Sequence, residues 1–313
     1  MTDIINPEKK QLVFPEFEDI KVSTKTFIVM TNLVINLKNL FEFLPITEYA
    51  FVPKKRGRKK KNNQVNPNKN VPPGSIVTMK YENNIRGIDL KQKKSHAKKK
   101  KSKWFRNSFT VVIILDDKPI NFKICQNGRF QVTGVKHDVQ VEECIKCIWS
   151  HIKNEEENIF KFTSGDCLET IFIPAMRNID FSIGFLVDRE KLAKYMSTQT
   201  EFHSLLETSF GYTGVNIKIP LNKDIKTMEI KKFTFKGDDI IESFMKYSDY
   251  LKLLPEKDQQ KKIKKERYNT FLVFHSGRTI YSGLSALFMR DSYYYFLEII
   301  KASYDIIEER LDA

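Results

Sequence analysis

The sequence predicts an α+β fold of two pseudo-symmetric repeats that build one continuous, curved antiparallel sheet with helices on one face. Three observations predict it. The first is a repeated stretch. Asn127-Gly128-Arg129-Phe130-Gln131-Val132-Thr133-Gly134 is echoed by Ser276-Gly277-Arg278-Thr279-Ile280-Tyr281-Ser282-Gly283, about 149 residues later. Each copy is a Gly-Arg turn entering a short strand that ends in a hydroxyl residue and glycine. The second is the flanks. An apolar strand precedes each copy, Ile120 to Cys125 and Thr270 to Phe274, and a helix-periodic stripe follows. The stripes are Val141, Cys144, Ile145, Ile148 and Ile152, then Tyr293, Phe296, Leu297, Ile300, Tyr304 and Ile307. The third lies upstream. Thr26 to Val29 leads to a helix capped by Asn36, and Asn178 to Phe181 leads to one capped by Asp188. Repeats of one supersecondary pattern fix a fold more firmly than any local propensity.

In chain order, residues 1–20 are an acidic lead-in whose end alone is expected to be ordered. Residues 21–155 form the first repeat, interrupted by a basic insertion over 53–107. Residues 156–168 are an acidic linker, and 169–313 form the second repeat, with its own insertion over 221–268. Both insertions are expected in similar places, between the middle strands. Phe109 to Leu115 is a β-branched strand that turns at Asp116 to Pro119 into the next, a hairpin pattern. Gly74 to Tyr81 also reads as a strand and competes with 109–115 for the same place in the sheet. Asp238 to Leu254 reads as helix.

The net charge of +14 is unevenly spread. Residues 53–107 hold 19 Lys/Arg against Glu82 and Asp89, whereas the remaining sequence holds 34 basic and 37 acidic residues. The runs Lys54, Lys55, Arg56, Arg58, Lys59, Lys60, Lys61 and Lys98, Lys99, Lys100, Lys101 predict solvated loops that bind phosphates without sequence preference. A nuclear-import signal and an Arg-Gly-Arg tether in a narrow minor groove are alternatives for the first run.

Cys144 and Cys147 form a CxxC, but with only His151 and Cys167 as further ligand types the set falls short of a zinc site. Both thiols are expected to pack as small hydrophobes on the inner side of a helix, so no metal or cofactor is expected. No phosphate-cradling glycine loop, deaminase pattern or nucleophile elbow occurs, and the five histidines are scattered, which argues against an enzyme. No apolar run nears the length of a membrane span and no signal-peptide core is present, so the expected setting is intracellular and off the membrane.

The paired Gly-Arg/Thr-Gly strands, with Phe109 to Pro119, Asn178 to Met196 and the strand Phe271 to Phe274, resemble the two repeats of the TATA-binding protein family. The lysine-rich insertions make the chain most similar to the divergent members found in giant nucleocytoplasmic DNA viruses. The resemblance covers about two-thirds of the chain and leaves out the N-terminus and both insertions. It implies a saddle with helices on the convex face. It further implies a general transcription initiation factor that binds and bends AT-rich duplex DNA through the minor groove and recruits initiation factors or RNA polymerase. The place of work would be a nucleus or a cytoplasmic viral factory, with packaging in the virion open. On this resemblance Phe274 and Phe109 match wedge positions, Cys125 stands at a third, and Tyr212, with Phe210 competing, is nearest to the fourth. Asn178 matches a base-contacting asparagine and Thr26 replaces its symmetry mate. Thr133 and Ser282 match strand-end hydroxyls; Arg129, Arg278 and Lys218 match phosphate-reaching residues.

Blander readings stand beside these. A strand phenylalanine is usually core, Asn178 could serve a turn, and an arginine after a turn glycine needs no function. Two other functions also stay open. One is an architectural or packaging protein acting through the lysine-rich loops. The other is a degenerate saddle serving as a protein-interaction module.

Overall fold

A computed structural model describes residues 12–50, 68, 70–89, 107–116, 118–200, 202–207 and 213–309. The class is α+β, built on antiparallel strands. Two compact units divide the chain: one comprises 25–175 and 229–246, the other 1–24, 176–228 and 247–313.

The first unit contains β1 (Val22–Thr31, from Lys25 on), β2 (Leu33–Ile35), α1 (Leu37–Phe43), β3 (Ile76–Tyr81) and β4 (Asn84–Gly87). It continues with β5 (Ser108–Leu115), β6 (Lys118–Cys125), β7 (Phe130–Val135), α2 (Asp138–Ile152) and β8 (Phe160–Phe162). Its antiparallel order is β1-β7-β6-β5-β3-β4. Residues of alternate parity turn inward, as a pleat dictates. Phe27, Val29, Val132, Phe122, Ile124, Phe109, Val111 and Met79 meet the stripe Val141, Cys144, Ile145, Ile148 and Ile152 of α2 in one core. Asn36 caps α1 by accepting from the Asn39 amide, as its position predicts.

In the second unit, β9 (Leu168–Ser182, its later half), α3 (Arg189–Gln199), β10 (His203–Glu207) and β11 (Gly214–Pro220) come first. After them come α4 (Tyr247–Lys252), α5 (Glu256–Lys264), β14 (Tyr268–Phe274), β15 (Arg278–Gly283) and α6 (Ala286–Ile307). The antiparallel order is β10-β11-β14-β15-β9. Phe271 stacks between Tyr281 and Phe296, with ring centroids 3.9 and 4.0 Å apart, and ties the sheet to α6. Asp188 caps α3 by accepting from the Lys191 amide, which with its side chain holds the carboxyl below the usual range. The end of the N-terminal lead-in packs here: Phe17 lies 5.5 Å from the Tyr293 ring, and the Tyr293 hydroxyl donates to the Pro15 carbonyl at 2.6 Å.

Four expectations are corrected. Residues 74–81 and 109–115 do not compete for one place, because β5 pairs with β6 while β3 lies outside β5, as β10 lies outside β11. Residues 238–254 are not one helix. The strands β12 (Glu229–Lys236) and β13 (Asp239–Lys246) form a hairpin around Gly237 (φ +60°), and only α4 follows as helix. Phe233 and Phe235, two residues apart, turn into the first unit's core, and β12 pairs with the first half of β9 in that unit. The two insertions also differ in place. The second lies between β11 and β14, where the first repeat has only the tight turn at Asp116. Finally, 156–168 is a structured part of the first unit. Its strand β8 pairs with β2, Ile159 and Phe160 are buried, and the Asn32 side chain binds the Ser164 and Cys167 carbonyls and the Glu169 amide.

Candidate nucleic-acid interface

The repeated Gly-Arg turn is the same object in both units. Gly128 has φ +68° and its amide donates to the Cys125 carbonyl at 3.1 Å; Gly277 has φ +74° and donates to Phe274 at 2.9 Å. A Cβ would fall 2.2 Å from the Leu33 carbonyl oxygen in one case and 2.3 Å from that of Phe185 in the other. Only glycine meets both the left-handed backbone and the close approach. The turn therefore fixes the register of the strands beside it and makes the two repeats comparable residue by residue.

In each unit one side of the sheet carries helices and the other does not. On the helix-free face of the second unit the register gives three rows. One row runs Lys218, Thr270, Ser282, Asn178; the next runs Leu205, Asn216, Leu272, Ile280, Asp180. The third contains Phe274 opposite Gly214, then Arg278 opposite Ser182. Phe274, Leu272 and Ile280 are partly exposed and Leu205 is 64% exposed. Gly214 contributes no side chain beside Phe274. The Asn178 side-chain Oδ1 is shielded and has no hydrogen-bond partner among the described residues.

The first unit repeats the geometry with different chemistry. Thr26 is opposite Thr133, as Asn178 is opposite Ser282, and Asn121 completes that row to Val112. Ile28, Gln131, Lys123, Thr110 and Lys80 form the next row. Cys125 opposite Ser108, with exposed Arg129 beyond, forms the third. A shallow depression opens there, lined by Ser108, Cys125, Asn127, Arg129 and Gln131. Burial pushes the Cys125 thiol above its usual range against the opposing charges of Arg129 and Lys123, so the thiol stays neutral near pH 7.

The structure brings Asn178, Ser282, Lys218, Phe274 and Arg278 onto one face, and Thr26, Thr133 and Arg129 onto the equivalent one. Phe109 is not on it. It is 1% exposed and packs edge-on against Phe41 and Tyr81 in the core, at 6.3 Å from each. Strand parity is the reason: Phe109 corresponds to Val215, one residue out of phase with the wedge position, so its assignment as a wedge is overturned. Thr26 keeps its row but is 9% exposed, which leaves it little contact area. Tyr212, Phe210 and the lysine runs 54–61 and 98–101 lie outside the described residues.

Sequence reasoning missed two features. One is the apolar patch of Leu205, Leu272 and Ile280. The unbroken run Phe271-Leu272-Val273-Phe274 was its signal, since a strand with one face in water ordinarily alternates. The other is the cover on the first unit's outer strands, where Tyr49 and Val71 pack on Val77, Val112 and Ile114. Val112 corresponds to Lys218, so this row has lost its cation on one side. Among the described residues no group of His, Cys, Asp and Glu could hold a metal, and no helix is long and apolar enough to cross a membrane.

Compared with known proteins, the chain matches no family model. An uncharacterized protein, 335L, of Invertebrate iridescent virus 6 is 27% identical over 208 residues, 64% of this chain and 61% of that protein. The match thus spans less than two thirds of the relative's length. Among solved structures, the TBP of Methanococcus jannaschii aligns with a TM-score of 0.44 at 13% identity, covering 92% of this chain and 99% of that one.

Proposed function

We propose that the chain is a non-catalytic, duplex-DNA-binding protein that enters the minor groove with the helix-free faces of its sheet. By bending promoter DNA it would nucleate transcription, with its helical faces left for initiation factors or polymerase, in a nucleus or a viral factory. One observation carries the reading: Phe274, Leu272 and Ile280 form an apolar patch beside a row of hydrogen-bonding side chains, Lys218, Thr270, Ser282 and Asn178, on a face with no helix over it.

The chemistry fits an A·T minor groove. Such a groove displays only acceptors, A N3 and T O2, and hydroxyl and amide side chains can donate to them. G·C pairs add a donor that would meet these groups less well. An apolar ring entering a base step costs a few kcal/mol of stacking, and bending adds about 1–6 kcal/mol. Apolar contact and phosphate neutralisation by Arg129, Arg278, Lys218 and the lysine runs would offset it. Asn178 would take part through its amide Nδ2, the donor, because its shielded Oδ1 is an acceptor and meets no donor at an A·T pair.

The test is equilibrium binding to AT-rich and GC-rich duplexes near physiological salt. The protein would be full-length, with the lysines of 54–61 and 98–101 either intact or changed to glutamine. Deleting 53–107 would be the wrong variant, because it removes β3 from the sheet. Weaker but still AT-selective binding by the neutralised protein is expected. If all binding disappears with those charges, the architectural reading through the loops replaces this one.

A further inference from the structure

We infer that the two repeats divide the work on DNA: the second alone opens a base step, while the first holds the backbone without unstacking. This rests on the proposed minor-groove reading and assigns different roles to its two faces.

The equivalence set by the Gly-Arg turns makes the comparison direct. Where the second repeat has Phe274 at the end of the strand entering the turn, the first has Cys125. Where the second has Leu272, Ile280 and Leu205 across three strands, the first has Lys123, Gln131 and Lys80. Ile28, whose counterpart is Asp180, is the one exchange in the other sense in this row. Phe109, the one aromatic side chain of the strand facing Cys125 among the described residues, is committed to the core at 1% exposure.

A wedge needs apolar area to replace the stacking it removes, which is why Phe, Leu, Ile, Met and Pro are the side chains that enter base steps. A cysteine side chain held beside Lys123 and Arg129 offers little such area. Those two cations suit phosphate oxygens instead, with Gln131 and Thr110 able to bond sugar or base edges. Arg129, exposed at the turn, and Lys123, on the same face, are the groups assigned to the backbone. The outermost strands of the first face are further closed by Tyr49 and Val71.

The experiment uses the full chain and a set of short AT-rich duplexes in which 2-aminopurine is stepped through the sequence. Its fluorescence rises where stacking is lost. One unstacked step is expected. The signal should disappear in Phe274→Ala and in Phe274→Cys, which copies the first repeat, while circular dichroism stays native. Lys123→Ala should keep the signal, weaken binding to all sequences alike, and lower the salt slope by about one. Two separate unstacked steps, or a signal that survives both Phe274 variants, would overturn the division. Binding without any unstacked step would overturn it too, while leaving groove binding intact. Absence of binding by the unaltered protein at any salt would defeat the parent reading itself.

Discussion

Phe274 and Cys125 occupy one position in two repeats. Each ends the strand that leads into a Gly-Arg turn, each accepts a hydrogen bond from the turn glycine, and each sits on the face its helices leave open. The exchange of a ring for a thiol at matched geometry makes the functional difference between the halves chemical rather than architectural.

Neighbouring phenylalanines on β14 should therefore behave in opposite ways. Phe271→Ala removes a fully buried ring from the Tyr281–Phe296 stack and is expected to destabilise the fold by about 3–5 kcal/mol. Phe274→Ala lies on the open face and should cost less than about 1.5 kcal/mol, because the lost ring was already partly in water. Urea denaturation of both variants checks this.

The turn glycines should tolerate nothing larger. Gly128→Ala and Gly277→Ala each place a methyl against a backbone carbonyl with φ in the left-handed region, so each should cost more than about 1 kcal/mol. Gly134→Ala has the same kind of φ but no atom within 4 Å, and its cost should come from backbone strain alone. Thermal melts of the three variants should rank Gly134→Ala as the mildest.

The hairpin of β12 and β13 is held partly by charge. Lys231 lies 2.8 Å from Glu142 and 3.1 Å from Glu242, and the Glu142 side chain is only 10% exposed. Lys231→Ala would leave that carboxylate poorly solvated and is expected to cost about 1–3 kcal/mol. The pair Lys153–Asp238 is exposed, so Lys153→Ala should leave the stability almost unchanged. Hydrogen exchange across 229–246 would separate the two.

Thiol chemistry should report the first unit's core. Burial pushes the Cys147 thiol up to about 11 and the Cys144 thiol higher still, because both thiolates are disfavoured there. For an acid whose folded value is raised, the stabilisation is complete below the ordinary value of 9.0. It is then lost as pH climbs toward 11 for Cys147. Alkylation at pH 8 should spare Cys144 and Cys147 in the folded protein and reach both in urea, with mass spectrometry as the readout. Fast labelling of folded Cys144 would contradict its place under the sheet.

Much of the fold was legible because it is periodic. The stripes of α2 and α6 and the caps Asn36 and Asp188 follow from spacing and side-chain chemistry, and the structure buries every stripe residue except Tyr304, which packs half-buried against the second unit's core. The hairpin 229–246 was not legible. Its apolar residues alternate only over a short span, and the strand it pairs with, the first half of β9, belongs to the unit built from the first repeat. At the candidate site, the repeat pointed to Asn178, Ser282 and Phe274, which share one face, whereas Phe109 lies on the other because a one-residue phase difference moves a side chain to the opposite face. That phase becomes visible only once Ser108 is seen opposite Cys125.

The most direct measurement is the end-to-end distance of a doubly dye-labelled AT-rich duplex, read by energy transfer near physiological salt. The protein would carry glutamine at the lysines of 54–61 and 98–101, with and without Phe274→Ala. Shortening by the neutralised protein, lost on Phe274→Ala, is the predicted result. An unbent duplex at saturating protein, or equal bending by the Phe274→Ala form, would contradict the account.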